Sequence, residues 1–412
     1  MGAVSSVLPF SSFWNSYRPF DALPDELLVL IFEHVGKLLI GRPPIACLRV
    51  SKRWRAIAQT TPRLWSSISL YGQHPLRGLE SLIALSLSAP LNLDLDVAGD
   101  ATYPGTACHP WRAVQVANVV AENMHRVARL QLRFHPHQAS LFDNVLSSTA
   151  PILDEVVLMC GGVVDLDLDA PGLRRLEVDR MQLRQWDLSA FPLLSELCLR
   201  SVDLELPELH SIISSLQRLE TLVLDEGSVQ ASWDGLAHSV TADWSHAFLR
   251  RLVITNAFGG SVLGLFLLKL PLADLEHFEL TFDPFTEYTS TMSSVVDTLF
   301  IVLKPTSIRV WRTKDKDKIW HVQLDDPRRS IAFPQRVGGP IISTVLEAAA
   351  RSVRKIFADD AFCNQIVRRH AKDALPEFQY FEELEFIRDA KGRLPSRANE
   401  ALEACLEVSQ RD

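Results

Sequence analysis

The sequence predicts an α/β protein: a small three-helix module near the amino end, followed by an irregular solenoid of short strands. Three observations carry this. Apolar residues recur at helical spacing between residues 24 and 65; an apolar-x-x-apolar-x-apolar pattern returns from residue 127 onward every 20 to 30 residues; and the final stretch reads as helices around one hairpin. The changes of pattern divide the chain into a leader over 1–19, the helical module over 20–66, a repeat region over 67–283 and its continuation or cap over 284–412.

The module opens at Pro24, a residue suited to the first helical position because it has no N–H to leave unpaired. Asp25 and Glu26 place negative charge at the positive end of the helix dipole. Leu27, Leu28, Ile31, Phe32 and Val35 form one apolar stripe, which Gly36, Gly41, Pro43 and Pro44 interrupt. A second helix carries Leu48, Ser51, Trp54, Ile57 and Ala58, and a turn after Pro62 presents Leu64 and Trp65. A module of roughly 45 residues builds only a marginal core. Its large apolar side chains on several faces therefore point to a partner surface or to packing on the next domain, and periodicity alone leaves both open.

The runs LPDELLVLIF, LRVSKRW and LW resemble the F-box motif along its length and in its order, through Leu23, Pro24, Glu26, Leu27, Leu28, Ile31, Phe32, Leu48, Val50, Ser51, Trp54, Leu64 and Trp65. The departure is a longer Gly/Pro-containing loop over about residues 36–44. The resemblance implies docking on the Skp adaptor of a cullin–RING ubiquitin ligase. It assigns adaptor contact to Leu23, Pro24, Leu27, Leu28, Ile31, Phe32, Leu48, Val50, Ser51, Trp54, Leu64 and Trp65. Of these, Leu27, Leu28, Ile31 and Phe32 are expected to be partly exposed in the isolated chain. A short tryptophan-ending module before a weak solenoid also resembles the F-box families of mushroom-forming fungi.

The repeat triplets are Val127/Leu130/Leu132, Leu153/Val156/Leu158, Leu173/Leu176/Val178, Leu194/Leu197/Leu199, Leu219/Leu222/Leu224, Leu249/Leu252/Ile254 and Leu275/Phe278/Leu280. Their spacing is close to the roughly 20–29 residues of leucine-rich repeats. Each unit offers a strand whose alternate residues point inward, and stacking neighbours buries that row. Irregular spacing and the missing asparagine after each strand make the array degenerate; a conventional α/β domain using several of these strands is the competing architecture. Outlying units are expected at Leu91–Val97 and Phe381/Leu384/Phe386, a helix over Thr289–Leu303, and a hairpin from Ile308–Arg312 and Ile319–Leu324 around KDKDK. Two further helices are expected over Ile341–Phe357 and Pro395–Val408.

Period-two alternation places a second row on the open face of the repeat sheet. Its candidate target-binding residues are Arg129, Arg133, Glu155, Arg175, Glu177, Asp179, Glu196, Arg200, Asp225, Arg251, His277 and Glu279. Mixed charge along such a face selects a partner by local complementarity. The bland alternative is a merely solvated surface.

No phosphate-binding loop, dinucleotide fingerprint, nucleophile elbow or zinc helix occurs. Asp165, Asp167 and Asp169 alternate like calcium ligands, but Ala170 and Leu176 stand where an EF-hand loop needs Gly and Glu. His135 and His137 flank Pro136 with no further ligand nearby. No catalytic residue, metal or cofactor is therefore expected. A net charge of -8 disfavours nucleic acid as a partner. The six cysteines are scattered, as buried thiols in a reducing compartment are. No apolar run reaches the roughly 18 residues needed to span a bilayer. Gly2 and Ser6 fit a myristoylation pattern, with no second membrane signal beside them.

These readings point to a soluble cytoplasmic or nuclear protein. Its expected partners are the Skp adaptor, through it a cullin, and a target protein the sequence does not identify. The rival readings are an F-box scaffold acting outside ubiquitination, and an enzyme with an unrecognised site in the carboxy-terminal third.

Overall fold

The computed structural model describes residues 23–38, 47–71, 76–98, 110–225, 228–230, 248–257, 266–267, 270–282, 290–313, 319–325, 327–333, 338–370, 382–387 and 394–409. Gly2, the leader and the KDKDK turn lie outside the described residues, as does Phe381. The chain divides into two compact units, residues 1–153 and 154–412. The division falls within the stretch read from the sequence as the repeat region, 67–283.

The first unit begins with helices α1 (Asp25–Leu38), α2 (Cys47–Val50) and α3 (Lys52–Gln59), followed by a 3-10 turn over Pro62–Trp65. Strand β1 (Ser67–Tyr71), helix α4 (Leu76–Leu85), strand β2 (Leu91–Asp96), helix α5 (Pro110–Asn123), strand β3 (Val127–Arg133) and helix α6 (Asp143–Leu146) follow. The three strands pair in parallel, β2 in the middle. In β2, LNLDLD, the leucines are buried and the polar residues half-exposed, as a one-sided strand requires.

The second unit, residues 154–412, is mostly strands in its first half. Strands β4 (Glu155–Met159), β5 (Val163–Val164), β6 (Arg175–Asp179), β7 (Gln182–Leu183), β8 (Glu196–Arg200) and β9 (Asp203–Glu205) come first. Helix α7 (Leu206–Ser215) and strands β10 (Thr221–Asp225), β11 (Ser228–Gln230), β12 (Arg251–Ala257) and β13 (His277–Phe282) continue the series. Strands β4, β6, β8, β10, β12 and β13 pair in parallel in that order, and β5–β7 and β9–β11 form separate short ladders. Six of the seven apolar triplets place their second and third members on these strands, where all are buried, with the first member just before the strand; the seventh, Val127/Leu130/Leu132, lies on β3 of the first unit.

One backbone device recurs through the array. The carbonyl just before a strand accepts two N–H groups from the start of the next strand: Asp154 O from Arg174 and Arg175, Arg174 O from Ser195 and Glu196, Ser195 O from Glu220 and Thr221, and Glu220 O from Arg250 and Arg251. The exits repeat as well, because Arg180 N–H bonds to Arg200 O and Ser201 N–H to Asp225 O, each at 2.8 Å. Arg180 (φ 52°) and Ser201 (φ 48°) turn there in the left-handed region. The sharp exit is thus made by backbone conformation, where the sequence lacks a turn-marking asparagine.

The remainder continues the sheet. Helix α8 (Ser290–Leu303), strands β14 (Ser307–Arg312), β15 (Trp320–Leu324) and β16 (Arg329–Phe333), helix α9 (Gly338–Ala349), strand β17 (Lys355–Ala358), helix α10 (Asp360–His370), strand β18 (Glu383–Phe386) and helix α11 (Ala398–Ser409) follow. Strands β14 and β15 form the expected antiparallel hairpin, and β16 inserts between β13 and β15. The helix expected over Ile341–Phe357 is corrected: it ends at Ala349, and Lys355–Ala358 form β17, parallel to β14 and β18.

Candidate functional site

The helical module has its own core, made of Leu28, Phe32, Cys47, Ile57, Ala58, Leu64 and Trp65. Leu82 and Leu85 of α4 pack against it, so the motif borrows side chains from beyond β1. Trp65 donates from its indole to the carbonyl of Ala58, and the Trp54 ring lies 4.9 Å from that of Phe32. Ser51 caps α3, its hydroxyl accepting from the Trp54 N–H at 3.1 Å. Arg53 of α3 reaches the start of α1, donating to Asp25 at 3.1 Å and to the Leu23 carbonyl at 2.6 Å. Arg55 donates to the Leu48 carbonyl at 2.9 Å.

This geometry sorts the residues singled out for adaptor contact. Leu28 and Phe32 are fully buried, which corrects the expectation that both are partly exposed; Leu64 and Trp65 are buried with them. Leu23, Ile31, Leu48 and Trp54 are half-buried against the same core. Pro24 is exposed, as are Leu27 (45%) and Val50 (59%). Leu30, which the motif comparison passed over, is 57% exposed. Leu27 and Leu30 on α1, with Pro24 just before it, stand three residues apart, so they share a stripe that faces water while Leu28 and Phe32 face inward.

The proposed target face is a charge network more than a set of free charges. Arg175 lies 3.5 Å from Glu155, 3.0 Å from Glu177 and 3.4 Å from Glu196. Arg200 reaches Glu177 at 3.0 Å and Asp225 at 3.9 Å, and Asp225 accepts from the Thr255 hydroxyl. Glu177, expected to be open to a partner, is only 7% exposed between the two guanidinium groups. Asp179 is paired with the exposed Arg180 at 3.5 Å, and His277 lies 3.6 Å from Glu279. Arg251 is exposed on β12, while Arg129 and Arg133 are exposed on β3 of the first unit. Arg133 pairs there with Asp96 at 3.3 Å.

Within the same row, beside Glu177 and Glu196, Cys198 is buried, and burial together with these two carboxylates pushes its thiol up to about 12. Burial does the same to Cys363 and Cys405, again to about 12, so these thiols are held far from the reactive thiolate form. Among the described residues, no group of three or more His, Cys, Asp and Glu side chains is placed to hold a metal ion. His135 and His137 stack on each other, with ring centroids 5.2 Å apart. Asp165 pairs with Arg184 at 3.0 Å. Among the described residues, no helix is long and apolar enough to cross a membrane.

Comparison with curated proteins finds no match to this chain. Comparison with protein families finds one on the module just described: residues 20–71 match the model of the F-box-like family, and the chain therefore carries an F-box-like domain.

Proposed function

We propose that the chain is the substrate-recognition subunit of a Skp–cullin–F-box ubiquitin ligase. The observation that carries this reading is the exposed apolar stripe of Pro24, Leu27 and Leu30, with Val50, in the segment that matches the F-box-like family. Leu28, Phe32, Leu64 and Trp65 act in this reading as the scaffold beneath the adaptor-binding surface. The in-register parallel strands from β4 to β13, with their repeated entry and exit hydrogen bonds, support reading the second unit as a leucine-rich-repeat-like solenoid that presents a target protein. The subunit then acts by proximity: it holds a target lysine at high effective concentration near a charged conjugating enzyme and supplies no chemistry itself.

Coexpression with a Skp adaptor and a cullin, followed by affinity capture of the tagged full chain, tests the reading. It expects both proteins to be retained. Retention of the adaptor without the cullin would favour a scaffold acting outside ubiquitination, and loss of both would remove the adaptor-docking reading.

A further inference from the structure

Helices α8 and α9 pack side by side, joined by a 3.1 Å hydrogen bond between the Ser293 and Thr344 hydroxyls. At their carboxy-terminal ends lies a recess of about 240 Å³. Its apolar wall is Phe300, Ile301 and Ala348; its polar rim is Lys304, Arg351 and Ser352, with Asp297 one turn below Ile301. Ile301 is 55% exposed there, a large aliphatic side chain left in water.

Three features point to a ligand. The Ser352 hydroxyl is shut off from solvent and has no hydrogen-bond partner, a state that buried polar groups rarely keep. Lys304 and Arg351 are exposed cations at the same recess, although cations beside helix ends often serve only to satisfy the last carbonyls. Here backbone groups already do that: Lys304 N–H bonds to Phe300 O at 2.9 Å, Ala350 N–H to Leu346 O at 2.9 Å, and Ser352 N–H to Ala349 O at 3.1 Å. The side chains of Lys304 and Arg351 are thus not needed as caps for those carbonyls, and both line the recess. Burial raises the Asp297 carboxyl while Arg351 opposes the rise, so Arg351 faces one acid of the lining as well as the recess. The volume lies below the roughly 300 Å³ at which sites for drug-sized ligands begin, which fits one side chain with its carboxylate and excludes a nucleotide.

We propose that this recess binds the carboxylate of a chain-terminal aliphatic residue of a target polypeptide. Lys304 and Arg351 pair with the carboxylate, the Ser352 hydroxyl donates to it, and the side chain lies on Phe300, Ile301 and Ala348. The source of the carboxylate rests on the target-presenting reading above; the recess and its chemistry do not.

Ligand-observed NMR titration of the full chain tests this with N-acetyl-leucine, its uncharged amide N-acetyl-leucinamide, and hexanoate. N-acetyl-leucine is expected to bind at least tenfold more tightly than the amide. Lys304→Gln with Arg351→Gln should remove that preference, and Ser352→Ala should weaken binding severalfold without lowering the melting temperature. Equal binding of acid and amide, or undiminished binding by the double variant, overturns the proposal. Hexanoate binding as tightly as N-acetyl-leucine overturns its polypeptide part and leaves a short-acid site. Capture of the Skp adaptor by the same variants separates the two readings, since it does not involve the recess.

Discussion

The indole Nε1 of Trp65 donates a 2.7 Å hydrogen bond to the carbonyl oxygen of Ala58, and both residues are fully buried. The bond ties the last turn of the F-box-like segment to α3. That carbonyl also accepts from Thr61 N–H at 3.3 Å, so losing the indole donor does not orphan it. Trp65→Phe should therefore cost about 1 kcal/mol. Trp65→Ala leaves a cavity in the same core and should cost about 3–5 kcal/mol. Urea unfolding monitored on the first unit distinguishes the two; equal losses would mean that the bond, and not the packing, dominates.

Neighbouring leucines on α1 should behave oppositely. Leu27→Asp with Leu30→Asp alters two exposed positions, so the melting temperature should barely move while adaptor capture disappears. Leu28→Asp buries an unpaired charge at a position with no exposure, and should unfold the module before docking can be assessed. Adaptor capture that survives the Leu27/Leu30 change would move the contact off this stripe.

On the repeat sheet, Arg175 and Arg251 should not respond alike. Reversal of Arg251, an exposed position on β12, should change stability by about 0.5 kcal/mol or less. Arg175→Glu sets a fourth carboxylate among Glu155, Glu177 and Glu196 and frees Glu177 of one of its two partners. Its loss should exceed that of Arg251→Glu clearly, and chemical denaturation of the two variants side by side measures the difference. High salt should narrow it, because the network is only partly shielded from solvent.

Burial pushes the thiols of Cys198, Cys363 and Cys405 far above the usual cysteine range, so at pH 8 they are held almost wholly in the protonated form. Alkylation of the native chain at pH 8 should therefore spare the peptides containing these residues and label them fully in urea. Rapid native labelling of the Cys198 peptide, read by mass spectrometry, would show that the charge network around it opens readily.

Much of the strand pattern was legible because an inward triplet such as Leu176/Val178 after Leu173 needs only the alternation of a strand and one preceding anchor. The later strands were harder. Between α9 and β17 the sequence AARSVRKIF holds no Gly or Pro, so the turn at Ala350–Ser352 leaves no mark and helix and strand merge into one apolar run. Strand β16, RSIAF, has Arg329 where its partner β13 has Phe278, the middle member of the last triplet, so it does not read as one of the series, although it joins β13 to the hairpin. At the F-box-like site the motif identified the segment but not its orientation. Leu27 and Leu28 are equivalent in composition and adjacent in sequence, and only the packing of α3 and α4 decides which one faces water. Ion pairing on the sheet face was equally invisible, since Arg200 on β8 meets Glu177 on β6 only once the register of the two strands is fixed.

The two leucines that α4 lends to the amino-terminal core set the size of the portable unit. A fragment cut at residue 71, where the family match ends, retains every motif residue yet loses Leu82 and Leu85 from the packing around Leu28 and Trp65. Grafted onto another protein, such a fragment would carry a greasy gap in place of that helix and would tend to associate with itself or with chaperones. A graft extended through Leu85 brings its own lid, so the transferable module is longer than the motif that announces it.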